Sequence, residues 1–517
     1  MRLNSKTTGT RRPAPIKNRA GGEAYSMTAP LELYAAVCTS ALSDKFYESS
    51  DERLERILRL LPQVKPHFAM KLAVYAREQM HLRTIPVVLA VEIAKLCNEQ
   101  DYGIYERQMV GKTVNRIVQR ADEITELLSY YQTANDRTGT KKLNKLSKQV
   151  QKGLSQAFNK FNEYQFAKYD RGTAVKLRDA LFLVHPKPKN AEQQIIFNKI
   201  ADKDLDTPET WEVGLSGAGQ GLDNDEEKME AKKEVWEALV AEEQLGYMAM
   251  MRNLRNMLQA GVSRKTIDKV CEFLADPEQV AKSKQFPFRF LAAHREIANI
   301  SSVDTAPLME ALEKAMDASA ANIQGFDRDT SVFISTDFSG SMGSMLSEKS
   351  SIHMWEVALV LAMLMRDRCK SVITSVFGTT HQVLNLSNRS GILSNCAKLS
   401  VDQRNDIVGS STNGHLVIQH LLDEKIVMDK VMLFSDMQLW NSGYDSRSFA
   451  SKWHDYKRFN PKAKLYLFDL QGYGDTPLST AEQDVYLIAG WSEKIFGILA
   501  ALERGSNAVA EIEAIEL

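Results

Sequence analysis

From about Pro30 to Ile323 the apolar residues recur with helical spacing, and no strand-like run intervenes. Leu31, Leu33, Tyr34, Val37 and Cys38 open the pattern, and Leu54, Ile57, Leu58 and Leu61 continue it at i, i+3, i+4 and i+7. Pro66 heads the run Phe68 to Ala76, and Pro86 precedes Val87 to Leu96. Proline suits a first helical turn because the N–H it lacks would have no partner there. Pairs of helices joined by short turns predict an α-solenoid of HEAT type, although no strict repeat shows in the letters. Beyond Asp327 the pattern changes to short apolar runs at Val332 to Thr336, Val372 to Phe377, Val431 to Phe434, Leu465 to Leu470 and Val485 to Ala489. Helical stretches near Trp355 to Arg366, Asn413 to Leu422 and Ile495 to Leu502 alternate with them. That alternation predicts a doubly wound parallel sheet with helices on both faces. The expected organisation is a flexible basic arm over 1–22, a helical domain over 23–325 and an α/β domain over 326–517. Gly214 to Lys228, rich in Gly and Asp, reads as an acidic surface loop.

The first strand of the α/β half runs into a polar loop, SVFISTDFSGSMGSM over 331–345. Asp337, Ser339 and Ser341 lie at i, i+2 and i+4 of that loop and can converge on one point. Hard oxygen donors of this kind suit Mg²⁺ or another small divalent cation. The D-x-S-x-S pattern resembles the metal-ion-dependent adhesion site of von Willebrand factor A domains. Thr412, in the polar loop Gly409 to Asn413, supplies a third hydroxyl, and Asp436, after the run Val431 to Phe434, supplies a second carboxylate. Three loops would then meet at the carboxyl edge of the sheet, where ligands bind in this architecture. The plainer alternative is that Asp337 and Asp436 only cap the helices that follow them.

The helical half carries a basic block. Between Lys141 and Lys189 twelve Lys and Arg residues stand against Glu163, Asp170 and Asp179, with Phe158, Phe161, Tyr164, Phe166 and Tyr169 interleaved. Phosphates answer to such cations and unpaired bases to such rings, which is the chemistry of single-stranded or irregular RNA binding. A solvated helix face balanced by acids elsewhere is the competing explanation.

Composition narrows the rest. A chain of 517 residues exceeds one hydrophobic core, and a net charge of −1 gives no global sign of a polyanion partner. The five cysteines are scattered without zinc or C-x-x-C spacing, which fits reduced thiols and a cytoplasmic location. The polar, basic start lacks an apolar secretory core, and the longest apolar run, Val357 to Met365, is too short to cross a bilayer, so no membrane partner is expected. A hydrolase with Asp337 as nucleophile fails because such phosphatases want a second acid two residues on, where Ser339 stands. No Ser-His-Asp order, phosphate-binding loop or H-E-x-x-H is present either, so the chain reads as a non-enzyme.

Several patterns together resemble the Ro autoantigen family, the TROVE-domain proteins, in a bacterial or phage version. They are Asn18-x-Ala20-Gly21-Gly22, His185-Pro186-Lys187-Pro188, Arg252-Asn253-Leu254, Thr336-Asp337-Phe338-Ser339-Gly340-Ser341-Met342 and Ile488-Ala489-Gly490-Trp491-Ser492. The resemblance implies a HEAT-like helical ring followed by a von Willebrand A-type sheet, acting as a non-catalytic RNA scaffold. It implies a monomeric protein in an RNA complex, with a small Y-like RNA on a basic outer surface and single-stranded 3′ ends of misfolded RNA in a positive hole. It further implies a possible tethered exoribonuclease. On the family pattern, Lys168, Arg171, Arg178, His185 and Lys187 face the small RNA. Phe182 departs from it, standing where the family tends to carry a basic residue. His185 also has a local explanation, ordering the turn before Pro186. The competing function is a metal-dependent protein–protein interaction module on a helical scaffold that binds no RNA.

Overall fold

The computed structural model describes residues 14–40, 47–99, 103–135, 146–169, 174–206, 211–218, 224–321, 323–347, 350–386, 390–399, 407–441 and 447–517. The chain divides into two compact units, one of residues 1–53 with 322–508, the other of 54–321 with 509–517. The division does not follow chain order. Residues 23–53, which the sequence pattern assigns to the helical domain, pack in the sheet unit, and 509–517 return to the helical unit.

In the sheet unit, β1 (Ile16–Lys17) and β2 (Glu23–Ser26) form an antiparallel hairpin. The strands β3 (Ser331–Asp337), β4 (Ser371–Phe377), β5 (His381–Val383), β6 (Lys430–Ser435), β7 (Lys464–Asp469), β8 (Asp475–Thr476) and β9 (Val485–Ala489) follow. The main sheet has the order β5-β4-β3-β6-β7-β9, parallel throughout except for β5, which runs antiparallel to β4 at the edge. The five parallel strands coincide with the five apolar runs of the sequence, and all six residues of β6 are buried, as a strand covered on both faces requires. β5 escapes the sequence reading because three residues with a polar pattern give no strand signal. β2 also pairs with β8, so the hairpin belongs to this unit and residues 14–22 are not the flexible arm that their composition suggests. Residues 1–13 lie outside the described part of the chain.

The apolar run Val357 to Met365 forms the centre of the helix Met354–Arg368, whose residues Met354 to Met365 are all buried. A helix apolar on every side belongs in a core, and this one packs against β3 and β6. The Glu356 carboxylate closes its first turn by accepting from the His353 N–H at 2.9 Å. The helix Ala29–Cys38 covers the free edge of the sheet. Its Tyr34 hydroxyl donates to the Ala489 carbonyl at 3.2 Å and accepts from the Ala489 N–H at 3.1 Å, satisfying the outer groups of β9.

The helical unit begins with Ser50–Leu60, which straddles the division, and continues through packed helices including Pro66–Glu78, Thr84–Glu99, Ile104–Ile117 and Asp122–Ala134. Pro66 opens its helix as the sequence predicts, and Pro86 lies in the first turn of a helix that starts two residues earlier, at Thr84. The acidic stretch is not a loop throughout. Asp225, Glu226 and Glu227 form the first turn of Asp225–Ala241, where carboxylates complement the helix dipole and the Asn224 side chain accepts from the Glu226 N–H. Among the described residues no helix is long and apolar enough to cross a membrane.

At the start of β5, the His381 ring lies 4.8 Å from that of His420 and stacks on Phe333 of β3 at 6.1 Å. Burial and the neighbouring His420 hold the His381 imidazole down at about 4. A depressed histidine is neutral in the fold and protonated first in the unfolded chain, so its contribution to stability is lost as pH falls from about 6.5 toward 4. The expected loss is at most about 3 kcal/mol at 1.36 kcal/mol per pKa unit. Unfolding of the wild type and of His381→Gln, followed at pH 7 and pH 4.5, checks this: the wild type should lose more stability than the variant over that interval.

Candidate cation site and nucleic-acid interface

β3 delivers Asp337 to the carboxyl edge of the sheet, and the loop after it turns back on the carboxylate. Asp337 Oδ1 accepts from the Ser339 N–H at 2.8 Å, and its Oδ2 accepts from the Ser435 hydroxyl at 2.6 Å. The Ser339 and Ser341 hydroxyls lie 3.3 Å apart. At the end of β6, Asp436 Oδ1 accepts from the Gln438 N–H at 2.9 Å. The loop bearing Thr412 joins through the Gly340 N–H, which donates to the Ser410 carbonyl at 2.7 Å. The Thr412 hydroxyl is buried and accepts from the Trp440 N–H at 3.0 Å. Gly409 makes this convergence possible. Its φ of 72° lies in the left-handed region, and a Cβ there would come within 2.6 Å of the Thr379 hydroxyl.

Asp337 and Asp436 are both fully buried. Burial first, and then the neighbouring Asp436, push the Asp337 carboxyl up to about 7; burial raises Asp436 as well. Asp436 Oδ2 has no hydrogen-bond partner. Two buried acids on loops that also carry the Ser339, Ser341 and Ser435 hydroxyls, one carboxylate oxygen unsatisfied, make a donor set of hard oxygens that fits Mg²⁺. Helix capping does not account for it, since each carboxylate binds N–H groups of its own loop. Among the described residues no cluster of three or more His, Cys, Asp or Glu exists.

The sequence reading missed what holds the Asp436 loop. The Asn18 side chain donates to the Leu439 carbonyl at 2.8 Å and accepts from the Gly22 N–H at 2.7 Å, while the Arg19 N–H donates to the Gln438 side chain at 2.8 Å. A Cβ on Gly22 would stand 2.0 Å from the Leu439 carbonyl oxygen. The Asn18-x-Ala20-Gly21-Gly22 pattern is therefore a clamp on the segment after β6. Its only sequence signal was the glycine pair.

In the helical unit the expected RNA-facing residues fall on two helices and a turn. Lys168 lies in Glu163–Tyr169, Arg178 in Leu177–Val184, and His185 and Lys187 just beyond; Arg171 is outside the described residues. Arg178, His185 and Lys187 are exposed. The Lys168 ammonium lies 5.4 Å from the Tyr164 ring centre, the Arg178 guanidinium 5.4 Å from Phe182, and that of Arg120 4.3 Å from Tyr169. Phe182 is itself 50% exposed. Among the described residues no carboxylate pairs with Lys168, Arg178 or Lys187 within 4.0 Å. His185 caps its helix in the left-handed region at φ 49°, so its local role and an outward-facing ring coexist.

A second cationic locus was not singled out. Arg252-Asn253-Leu254 spans a break between the helices Tyr247–Arg252 and Leu254–Ala260. The buried Asn253 side chain donates to the Ala249 carbonyl at 2.9 Å. Arg289 sits 6.0 Å from the ring centres of Phe286 and Phe288, which stack 5.3 Å apart. Burial and the nearby Arg252 lower the Arg289 pKa, and among the described residues no acid pairs with it.

The TROVE domain model matches residues 35–206 and 202–324. The chain is 25% identical over 359 residues to telomerase protein component 1 of Mus musculus, covering 53% of this chain and 13% of the relative. For the Rattus norvegicus protein of the same name the identity is 24% over 329 residues, 48% of this chain and 12% of the relative. The chain thus matches about one eighth of those proteins' length. Among solved structures it is similar to the RO (RSR) protein of Deinococcus radiodurans, with a TM-score of 0.58 at 16% identity over 92% of this chain and 99% of that one. That likeness bears on the fold.

The Asn18 clamp has a direct test. Asn18→Ala removes both of its side-chain bonds to buried backbone groups, and should cost about 1–3 kcal/mol for each group left unpaired. Faster amide exchange at 436–440, with exchange in β4 unchanged, is the expected result of hydrogen-exchange mass spectrometry.

Proposed function

Because the chain belongs to the TROVE family, whose members are RNA-binding components of ribonucleoproteins, we propose that it is a non-catalytic RNA scaffold acting in the cytoplasm. The observation that carries this reading is the surface around Lys168, Arg178, His185 and Lys187. Its lysines and Arg178 lack carboxylate partners among the described residues, and Lys168 and Arg178 lie over rings instead. An ammonium or guanidinium without a nearby acid keeps its attraction for phosphate, and an exposed ring such as Phe182 offers a face to an unpaired base. A small structured, Y-like RNA is the ligand this surface suits. Arg252 and Arg289, two like charges held together beside stacked phenylalanines, suit the phosphates and bases of a single strand, such as the 3′ end of a misfolded RNA. An exoribonuclease brought to the protein through the small RNA would complete a quality-control particle.

The sheet unit supplies a divalent-cation site in this reading. Asp337, Ser339, Ser341, Thr412 and Asp436 would hold Mg²⁺ or a similar ion. When bound, that ion neutralises the two carboxylates and offers a coordination position to an acidic group. The protein's own residues orient the donors: Ser435 fixes Asp337, and Gln438 fixes Asp436.

Competition binding with one RNA in tailed and blunt forms tests both RNA surfaces. Lys168→Glu with Arg178→Glu should weaken both forms several-fold and flatten the salt dependence by roughly one to two in log–log slope. Arg252→Gln with Arg289→Gln should weaken the tailed form and leave the blunt one unchanged. Equal losses from the two pairs for both forms would contradict separate surfaces.

A further inference from the structure

The segment 509–517, which returns to the helical unit, lies across a cationic face of that unit. It carries Glu511, Glu513 and Glu516 and no Lys or Arg. The Lys71 ammonium donates to the Glu513 carbonyl, Lys112 donates to the Leu517 backbone oxygen at 3.1 Å, and the Arg116 guanidinium donates to the Glu516 carbonyl. Lys112 and Arg116 stand four residues apart on Ile104–Ile117 and so share one side of that helix. Lys71 comes from Pro66–Glu78, which packs against it. Arg116 also meets Glu78 at 2.8 Å, whereas among the described residues Lys71 and Lys112 have no carboxylate partner. Lys160 adds a cation at the end of the same helix, where it donates to the Asn115 and Val118 carbonyls. Ile512 is fully buried and anchors the segment, while Glu513 and Glu516 are exposed.

A carbonyl satisfies an ammonium hydrogen but leaves the charge in place, and an ionised oxygen makes a bond roughly twice as strong. The segment therefore covers these cations through its backbone without pairing them. Its exposed carboxylates lower the positive potential nearby, and its attachment to the chain keeps it at a high effective concentration. One phosphate gains little against such a tethered competitor. A strand that brings several phosphates at once gains at each cation. We infer that Lys71, Lys112 and Arg116 form a further RNA-binding face, which the acidic segment 509–517 occupies in place of an RNA backbone, so that a single strand engages it only by displacing the segment. On the RNA-scaffold reading, from which this follows, these are cations other than Lys168, Arg178, Arg252 and Arg289.

A labelled oligouridine, titrated into the full-length protein at several salt concentrations, tests the displacement. Ile512→Asp removes the buried anchor, and Glu513→Gln with Glu516→Gln removes charge while keeping it; thermal unfolding shows that each variant is folded. Ile512→Asp should bind several-fold more tightly than wild type at low salt, with a salt dependence steeper by about 0.7 in log–log slope per added phosphate contact. Lys71→Gln with Lys112→Gln should abolish that gain. The glutamine pair should show a smaller gain, and oligouridine should speed amide exchange over 509–517 in wild type. Should Ile512→Asp fail to fold, the glutamine pair and the exchange measurement decide alone. Equal affinity of wild type and the segment variants with exchange unchanged, or a gain that survives Lys71→Gln with Lys112→Gln, would overturn this face and leave RNA binding elsewhere intact. Absence of RNA binding by every form would overturn the RNA-scaffold reading and the inference with it.

Discussion

The sheet unit is organised around two carboxylates that cannot both be charged and buried without help. Asp337 and Asp436 leave the ends of neighbouring parallel strands, and parallel register alone brings them to one edge. Such a pair is tolerable only if hydrogen bonds, a proton or a cation offset the repulsion and the loss of water. The structure supplies hydrogen bonds to Asp337 from Ser339 and Ser435 and to Asp436 from Gln438, and leaves Asp436 Oδ2 open. Everything around it acts to hold those loops still: the Asn18 side chain on Leu439, the left-handed Gly409, and Tyr34 closing the sheet edge at β9.

The helical unit follows the opposite rule for charge. Arg77 is buried and paired with Glu123 at 2.7 Å, and Arg83 and Arg120 meet Asp122. Among the described residues, Lys168, Arg178 and Lys187 have no carboxylate partner, and Lys168 and Arg178 lie over aromatic rings. Paired charges serve the fold, while unpaired exposed ones cost little in water and remain available to a polyanion. The contrast within one unit is what separates a binding face from an ordinary solvated helix surface.

Much of this was legible in the letters. The five parallel strands were, because each is a short apolar run bounded by polar loops, and Asp337 and Asp436 were placed at strand ends by the same pattern. The family was legible from short motifs such as Thr336 to Met342, and the TROVE match over 35–324 agrees with it. What sequence could not give were contacts between distant segments. Residues 14–22 look like a free arm because their partner, the loop after β6, lies more than 400 residues away. β5 was too short to register, and the acidic stretch hid a helix start because Asp and Glu favour both loops and first turns.

The central claim is that this chain holds a small structured RNA on the unpaired basic face of its helical unit. Ultraviolet cross-linking in the native cell, followed by sequencing of the RNA and mass spectrometry of the attached peptides, tests it most directly. The account predicts one or a few strongly enriched small RNAs cross-linked through peptides spanning Tyr164 to Lys189. Recovery of no enriched RNA, or cross-links confined to the sheet unit, would contradict it.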